Sequence, residues 1–462
     1  MAETVAARLA TWASGVSLAS LPGEVVAAAK RSIVDTSGVG IAGAGTPAAR
    51  TVRKLVRDAS ASGAAALWGT DEPGLAPEAA AHCNAVAAHV LDYDDTCYDG
   101  IVHASAAVWP AVLACGEASG ASGARLLEAF IAGVECEYAL GRAFGDELYF
   151  KGWWTSGLLG SIGAAVGAAK VLGLDAARMR SAIALAACQT GGVRAVLGTD
   201  AKPFMLGRAA YAGLQAARYA AVGLEAPADA FESHRGFIPV LADGRFDAER
   251  LALGERYSLV KPGTAFKLFP ACSATQAATE AVLELAQAHG IDAVDVERVD
   301  CAVTPLVFIS LTYDRPATVS EAQFSLTYAI GCALRYGGFG VEHLSAPTYG
   351  EPRMLAVMAK VRMTQSDTLE ATEEGRRDNP EGAHVAIRLK DGRTFERYNG
   401  AATGMPQKPM SDAALDAKFL ACAGTSLDAA AAQRLLQSLR ALETSPGPVS
   451  LGRASSGTSR RT

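Results

Sequence analysis

The sequence lacks the long apolar runs and basic patches that mark several large classes of protein. Its 462 residues carry a formal net charge of −6 without a basic patch interleaved with aromatic residues, which argues against a nucleic-acid binder. The most apolar stretch, 157–169, has 13 residues, whereas a membrane-spanning helix needs about 20. Residues 1–15 lack a basic segment followed by an apolar core, so we expect no signal peptide and a cytoplasmic protein without a membrane role.

Cysteine clusters and cofactor motifs are also missing. Nine cysteines are scattered along the chain without a CxxC pair, which predicts reduced thiols rather than disulfides, zinc ligands or iron–sulfur ligands. Walker, HExxH and GxSxG patterns do not occur, and we predict neither a metal nor a cofactor. A GxGxxG pattern stands at 38–43. Helical segments flank it where a dinucleotide loop needs a strand, so we interpret it as a tightly packed helix end.

What the chain has in abundance is alanine. Of its 95 alanines, 63 lie in residues 1–265, 19 in 266–400 and 13 in 401–462. Half of the residues are hydrophobic and 19% are charged, which suffices for an ordered core. Apolar spacing in the first block predicts successive helices at 80–92, 106–119, 126–143, 156–172 and 175–190. Glycines 157, 160, 163 and 167 form a stripe that predicts close approach of a neighbouring helix.

The middle of the chain predicts a different kind of structure. Alternating residues indicate strands at 294–304 and 361–367, and 385–398 has the pattern of a hairpin with Asp-Gly at its turn. Helical segments at 274–289 and 323–334 separate these strands. We therefore predict a mainly α protein with a large all-helical domain and a smaller α+β domain. The predicted divisions are a helical part over 1–265, the α+β domain over 266–400, helices rejoining the helical domain over 401–444 and a disordered tail over 445–462.

One short segment concentrates polar residues that suit chemistry. LDYDDT at 91–96 is followed by His103, and together they bring acids, a hydroxyl and an imidazole to the end of an apolar helix. Asp and Thr are poor residues for a helix interior, so the segment is a helix end or a loop. His103 begins the next apolar helix, whose N-terminus tends to lower the pKa of a histidine and suits it to proton transfer. Helix capping beside an acidic surface turn is the alternative interpretation.

Two lysines lie in apolar sequence, Lys202 in DAKPFMLG and Lys267 in AFKLFPAC. Lysines in such surroundings either extend their ammonium group to solvent or hold a carboxylate. Both interpretations remain open for each of them.

Taken in order, several segments make the chain similar to the MmgE/PrpD family over roughly residues 3–440. Members of this family include 2-methylcitrate dehydratase, cis-aconitate decarboxylase and iminodisuccinate epimerase. The resemblance implies a helical domain built from both chain ends, an α+β lid inserted between them, a homodimer, and a metal-free active site between the domains. The segments that carry it are LDYDDT at 91–96, HASAAVWPAVLA at 103–114, KGWWTSGLLGSIGAAVGAAKVLGL at 151–174, AKPFMLGRAAYAGLQAA at 201–217, KLFPACSAT at 267–275 and EAQFSLTYAIGCAL at 321–334.

The resemblance also implies roles for individual residues. The family's histidine falls on His103, which would be the general acid or base. Its lysines fall on Lys202 and Lys267, which would hold or polarise an anionic group. Its aspartate and threonine fall on Asp92 and Thr96, which would orient the histidine or the leaving oxygen.

Two positions depart from the family pattern. Trp154 and Gln276 stand where family members that bind polycarboxylates carry histidines. Tryptophan fills space and has no acid–base function, whereas glutamine hydrogen-bonds but does not titrate near neutral pH. We include both among the predicted substrate-binding residues and expect a substrate smaller and less acidic than methylcitrate.

The resulting prediction is a cofactor-independent carbon–oxygen lyase of dehydratase type. It would catalyse a β-elimination on a small carboxylate, with water or an activated oxygen such as phosphate leaving, in a biosynthetic setting of secondary metabolism. Decarboxylation or epimerisation of a di- or tricarboxylate, and 2-methylcitrate dehydration itself, remain alternatives. A non-catalytic family member that acts as a binding subunit is the alternative from another class.

Overall fold

The computed structural model describes residues 3–369 and 379–452. The chain is mainly α-helical, with one small sheet in its second half. Before the sheet region the helices are α1 (Val5–Gly15), α2 (Gly23–Gly43), α3 (Pro47–Ala59), α4 (Pro77–His89), α5 (Ala104–Ser119), α6 (Gly123–Phe144), α7 (Glu147–Lys151), α8 (Thr155–Val171), α9 (Ala176–Ala187), α10 (Ala201–Ala221) and α11 (Phe237–Ala242). Helices of 3-10 type at Arg194–Val196 and Ala248–Leu251, a π turn at Leu259–Gly263 and a short strand β1 (Ser62–Ala65) complete this half.

Close helix packing in this first half depends on small residues, as the glycine stripe predicts. A Cβ atom added at Gly163 would lie 2.6 Å from Oε2 of Glu137 in α6 and 3.0 Å from a methyl of Val108 in α5. A Cβ added at Gly167 would lie 2.6 Å from a methyl of Val112. Larger side chains would force these helices apart, so the predicted close approach is confirmed.

The GxGxxG pattern lies inside α2 and not in a loop. A Cβ at Gly40 would meet the ring of Trp68 at 2.5 Å, and one at Gly43 would meet the carbonyl oxygen of Ala87 at 2.0 Å. These glycines let α2 approach α4 and the segment before it. The interpretation as tight helix packing is therefore confirmed.

The second half contains a four-stranded sheet with helices around it. Its strands are β2 (Val296–Val303), β3 (Val361–Gln365), β4 (Ala383–Leu389) and β5 (Thr394–Asn399), in the order β3-β2-β4-β5. β2 pairs parallel with β3 and antiparallel with β4, and β4 pairs antiparallel with β5. The helices are α12 (Ser273–His289), α13 (Pro305–Ser310), α14 (Val319–Ala322), α15 (Leu326–Tyr336), α16 (Ala346–Tyr349) and α17 (Pro352–Met358), with a 3-10 turn at Val341–His343. We call this part the lid.

The last helices, α18 (Asp412–Ala423) and α19 (Ala429–Arg440), pack back against the first half, and a 3-10 turn at Leu442–Thr444 follows. Leu415, Phe419 and Leu436 are buried in the same apolar core as α1 to α10. The body of the protein is therefore built from both ends of the chain, and the lid is inserted between them.

The predicted disordered tail begins too early. Leu451 is fully buried, and its carbonyl oxygen accepts a hydrogen bond of 2.9 Å from the backbone N–H of Gly69. This apolar anchor orders residues up to 452 despite their Ser, Gly and Pro content. The rest of the predicted tail, 453–462, lies outside the described residues. Over the described ranges, no helix combines the length and hydropathy that crossing a bilayer requires.

Candidate active site

The predicted polar segment forms the turn between α4 and α5. The chain leaves α4 at His89, and Asp92 adopts a left-handed conformation with φ of 47°, which aspartate tolerates better than most residues. Thr96 then pairs with Ala265 through two backbone hydrogen bonds of 3.0 and 2.8 Å. This bridge brings the segment that contains Lys267 beside the turn, although the two are far apart in sequence.

Asp92 lies between the two predicted lysines. Nζ of Lys202 is 3.1 Å from Oδ1 of Asp92, and Nζ of Lys267 contacts the same oxygen and donates a 2.8 Å hydrogen bond to the Asp92 carbonyl. All three side chains are buried. Burial alone would raise the pKa of Asp92, but the two ammonium groups outweigh it and hold this pKa well below its ordinary value.

A second carboxylate holds two imidazoles. Oδ2 of Asp94 is 2.8 Å from Nδ1 of His89 and 3.1 Å from Nδ1 of His103. Nδ1 of His103 also lies 2.9 Å from the Asp95 carbonyl oxygen, so two of its three neighbours can only accept a hydrogen bond, and the third is the Thr96 hydroxyl. We assign the proton of each ring to Nδ1 on this basis, which leaves Nε2 of His103 unprotonated. The Thr96 hydroxyl lies 3.2 Å from that Nε2.

His89 connects the two carboxylate groups into one network. Its Nε2 accepts a 2.8 Å hydrogen bond from Nζ of Lys202, and its ring lies with its centroid 4.6 Å from that of His103. Burial lowers the pKa of His89 to about 3, with Lys202 and His103 acting in the same direction against Asp94. His89 is therefore a neutral bridge from the lysine to Asp94.

The ionisation of His103 and Lys202 is also shifted. Burial is the largest cause that lowers the pKa of His103, and Asp94 opposes it. Burial likewise lowers the pKa of Lys202 against the attraction of Asp92. A neutral imidazole and a destabilised ammonium, next to each other in one site, are groups suited to proton transfer.

These groups line a narrow cavity between the body and the lid. Its volume is about 30 Å³, which holds water-sized molecules but not a carboxylate of several carbons. A substrate therefore enters only when lining side chains or the lid move. The body contributes Asp92, Thr96, Ile101, His103, Tyr149, Trp154, Leu197 and Lys202, and the lid with the segment before it contributes Cys272, Ser273, Leu306, Ser310, Phe324 and Glu381.

Trp154 stands where the family resemblance leads us to expect a histidine. It is buried at the start of α8, and its ring stacks on His89 with centroids 5.6 Å apart and planes inclined by 28°. Nζ of Lys202 lies 5.8 Å from the ring centroid. The indole therefore narrows the cavity. It contacts Lys202, which is bound to Asp92, and His89, which is bound to Asp94, but it does not supply a proton.

Two predicted substrate-binding residues do not line the cavity. Gln276 spends its side-chain amide on backbone groups: Oε1 accepts from the N–H groups of Leu268 and Phe269 at 3.0 and 2.9 Å, and Nε2 donates to two carbonyls. Lys267 lies behind Asp92, where its ammonium group is already bound. Gln276 thus fixes the backbone that carries Lys267, and Lys267 fixes Asp92. Both residues therefore support the site and do not contact its cavity, in contrast to the predicted substrate binding.

A third buried lysine binds the turn from the C-terminal helices. Lys418 of α18 lies 2.7 Å from Oδ1 of Asp35 and donates hydrogen bonds to the carbonyl oxygens of Tyr93 and Lys267 at 2.8 and 3.0 Å. Its ammonium group also lies 3.8 Å from the centre of the Tyr93 ring. The C-terminal helices therefore fix the turn that contains Tyr93 relative to the segment that contains Lys267.

His89, Asp94 and His103 also form the one group of side chains in the described ranges whose spacing would suit a metal ion. Hydrogen bonds account for this spacing, because each Nδ1 lies within donor distance of the shared carboxylate and Lys202 donates to the far side of His89.

The sequence alone did not predict three features of the site. These are the role of His89, the contact of Asp94 with two imidazoles, and the position of Glu381. For His89, a polar residue at the end of an otherwise apolar helix was the available signal. For Glu381 there was none, because it precedes β4 as a single acid outside any motif.

Comparison with known proteins gives the family of the chain. Residues 7–249 match the MmgE/PrpD N-terminal domain, and residues 269–444 match the MmgE/PrpD C-terminal domain. Human cis-aconitate decarboxylase is 28% identical in an alignment that covers 96% of this chain and 92% of the human one. A cis-aconitate decarboxylase-like protein of Aspergillus oryzae is 24% identical over 96% of this chain and 95% of its own. Cis-aconitate decarboxylase of Aspergillus terreus is 29% identical over about half of each chain (52% and 50%). The protein belongs to the MmgE/PrpD family.

Proposed function

We propose that the protein is a lyase that moves a proton at the carbon next to a substrate carboxylate. The observation that carries this proposal is the imidazole of His103, bound by Asp94 through Nδ1, in the same narrow cavity as the ammonium group of Lys202. Asp94 fixes the tautomer and orientation of His103. Lys202 donates one hydrogen bond to His89 and forms an ion pair with Asp92, so its ammonium group keeps donor capacity for a substrate.

The reaction that we favour is a β-elimination of dehydratase type. His103 removes the proton next to the carboxylate, and the charge that develops on the carboxylate oxygen is stabilised by Lys202. The electron pair of the C–H bond then forms the double bond as the oxygen at the neighbouring carbon leaves. This chemistry uses side-chain acids and bases alone, on a small carboxylate that enters between Trp154 and the lid when the lining side chains or the lid move.

Decarboxylation is the second candidate, and the names of the relatives favour it. In that reaction a C–C bond breaks, CO₂ leaves, and protonated His103 donates a proton to the carbon. A non-catalytic binding role is less well supported, because a binding subunit has no use for a buried network of opposed charges that costs free energy to maintain.

The experiment that tests the proposal distinguishes proton exchange next to the carboxylate from formation of a double bond and from release of CO₂. The purified protein is incubated in D₂O with malate, citrate, 2-methylcitrate and cis-aconitate, and NMR follows deuterium exchange next to the carboxylates, new double bonds and CO₂ release. We expect exchange with at least one hydroxy acid, followed by a double bond. CO₂ release from cis-aconitate alone would select the second candidate, and no exchange and no product with any of them would argue against a lyase.

The acid limb of the pH profile should lie below pH 6.5. His103 acts as a base only when it is neutral, and burial lowers its pKa from the ordinary 6.5, so kcat/KM should hold below that pH and fall as the pH drops through the lowered pKa. Asp94 raises the pKa of His103 against burial, so Asp94→Asn should shift the limb to still lower pH while reducing kcat. A limb that moved upward in this variant would contradict the assignment. Glu396→Gln, on an exposed strand of the lid, serves as the control and should leave the limb in place.

A further inference from the structure

Glu381 is a buried carboxyl group of the lid that forms no ion pair with the described residues of the body. It precedes β4 and lines the cavity together with His103 and Lys202. The Tyr98 hydroxyl lies 2.6 Å from its Oε2, and the Ser273 hydroxyl lies 2.7 Å from its Oε1. Tyr98 belongs to the turn of the body, and Ser273 is the first residue of α12, so Glu381 is held where body and lid meet.

The environment of Glu381 contrasts with that of Asp92. Asp92 contacts two ammonium groups, whereas no lysine or arginine of the described ranges forms an ion pair with Glu381. Its neighbours in the cavity include apolar side chains, among them Leu306 and Phe324. Burial is the largest cause that raises the pKa of Glu381, and it outweighs the hydrogen bonds from the two hydroxyls and the attraction of Lys267. A carboxyl in such surroundings carries a proton more readily than Asp92 or Asp94 does.

We propose that Glu381 is a catalytic acid that protonates the leaving oxygen. This inference rests on the proposed β-elimination. His103 takes the proton from carbon, the C–H electron pair becomes the double bond, and the C–O bond breaks. The departing hydroxyl takes the proton of Glu381 and leaves as water, so that Glu381 ends as a carboxylate and His103 as an imidazolium. Proton return from His103 to Glu381 through water restores both groups, and the reaction is balanced.

The arrangement of the hydroxyl groups fits this role. A protonated carboxyl has one O–H to donate and can accept hydrogen bonds at its other oxygen, and Tyr98 and Ser273 can each donate or accept. In the acid form one of the two hydroxyls donates to the unprotonated oxygen, and the other lies beside the carboxyl O–H. As the carboxylate forms, the same two hydroxyls stabilise the new charge. The body thus supplies the base and the lid supplies the acid, so both are present only when the two parts are closed on each other.

The variant Glu381→Gln tests the proposal, because it keeps the shape and hydrogen bonding of the side chain but cannot release a proton. Its elimination rate should fall by about 10²-fold with a hydroxy acid such as malate, whose leaving group needs protonation. With chlorosuccinate, which yields the same product by loss of chloride, the rate should change little. Deuterium exchange next to the carboxylate should persist, since His103 is intact. Glu280→Gln, a lid carboxyl bound to Thr403 and Asn399 outside the cavity, is the matched control and should leave all rates unchanged.

The outcomes separate the inference from the function on which it rests. Unchanged elimination of the hydroxyl in Glu381→Gln overturns the role of Glu381. Loss of exchange together with both eliminations assigns it a structural role and overturns the proposal as well. A wild-type protein that exchanges the proton but never eliminates a hydroxyl removes the step that Glu381 would serve, whereas a wild-type protein without exchange overturns the proposed function itself.

Discussion

The variant His103→Asn should lose about 10²- to 10⁴-fold in kcat, which is the usual contribution of a positioned acid or base. Asparagine can still donate to Asp94 and to the Asp95 carbonyl, so the hydrogen bonds that hold the turn persist. What it removes is the lone pair at Nε2, to which we assign the removal of the proton from carbon. We therefore expect substrate binding to change little while deuterium exchange and product formation fall together. Steady-state kinetics and NMR exchange on the same sample measure both.

A matched control distinguishes catalysis from general damage to the fold. His384 is a half-exposed histidine on β4, and His384→Asn should leave kcat and exchange unchanged. Exchange at the wild-type rate in His103→Asn would mean that another group is the base. The remaining buried imidazole of the network, His89, is held by Asp94 and Lys202 and has no free nitrogen to replace it.

The largest effect on stability should come from Asp92→Asn. This change leaves Lys202 and Lys267 buried beside each other without the carboxylate that both contact, and breaking a buried ion pair costs about 3–5 kcal/mol in the free energy of unfolding. Asparagine tolerates the left-handed backbone of Asp92, so the loss reports charge and not strain. Urea denaturation followed by circular dichroism measures the difference.

A second substitution identifies the cause of this loss. The double variant Asp92→Asn with Lys267→Met removes one of the uncompensated ammonium groups and should recover part of the lost stability, although activity stays low because Lys202 has lost its partner. Asp243→Asn, which breaks an exposed ion pair with Lys151, should change the free energy of unfolding far less than Asp92→Asn does. A double variant less stable than Asp92→Asn alone would contradict the electrostatic explanation.

The helices and strands could be predicted from the sequence. So could the grouping of those side chains that lie close together in the chain. Helical periodicity places α5 and α8 within a residue or two of their observed limits, because alanine-rich segments of that length have few other ways to bury their apolar residues. Asp92, Thr96 and His103 lie close together because one short turn contains them all. Prediction was less successful where long-range contacts decide a role. Lys267 and Gln276 lie near the site, but Asp92 and nearby backbone groups already occupy them.

Glu381 shows why the rest of the site could not be predicted. Its surroundings come from the turn of the body and the start of α12, which only the closed fold brings to it. Neither the composition near residue 381 nor any motif there indicates that its carboxyl is buried without an ion pair to any lysine or arginine of the described ranges. The sequence also does not indicate that the three acids of the turn have different partners. Asp92 binds ammonium groups and Asp94 binds imidazoles. Asp95 accepts a hydrogen bond from Ser105, and burial raises its pKa to about 8.

Lys418 links catalysis to the order in which the chain is synthesised. Every residue that lines the cavity precedes it, so a growing chain has released all of these side chains from the ribosome before α18 emerges. Until then the carbonyl groups of Tyr93 and Lys267 lack the ammonium group that joins them, and Asp35 lacks its partner. A stalled chain that ends before α18 therefore holds the complete set of reactive groups without the support that aligns them. Activity should appear only after the last helices have been translated and have docked.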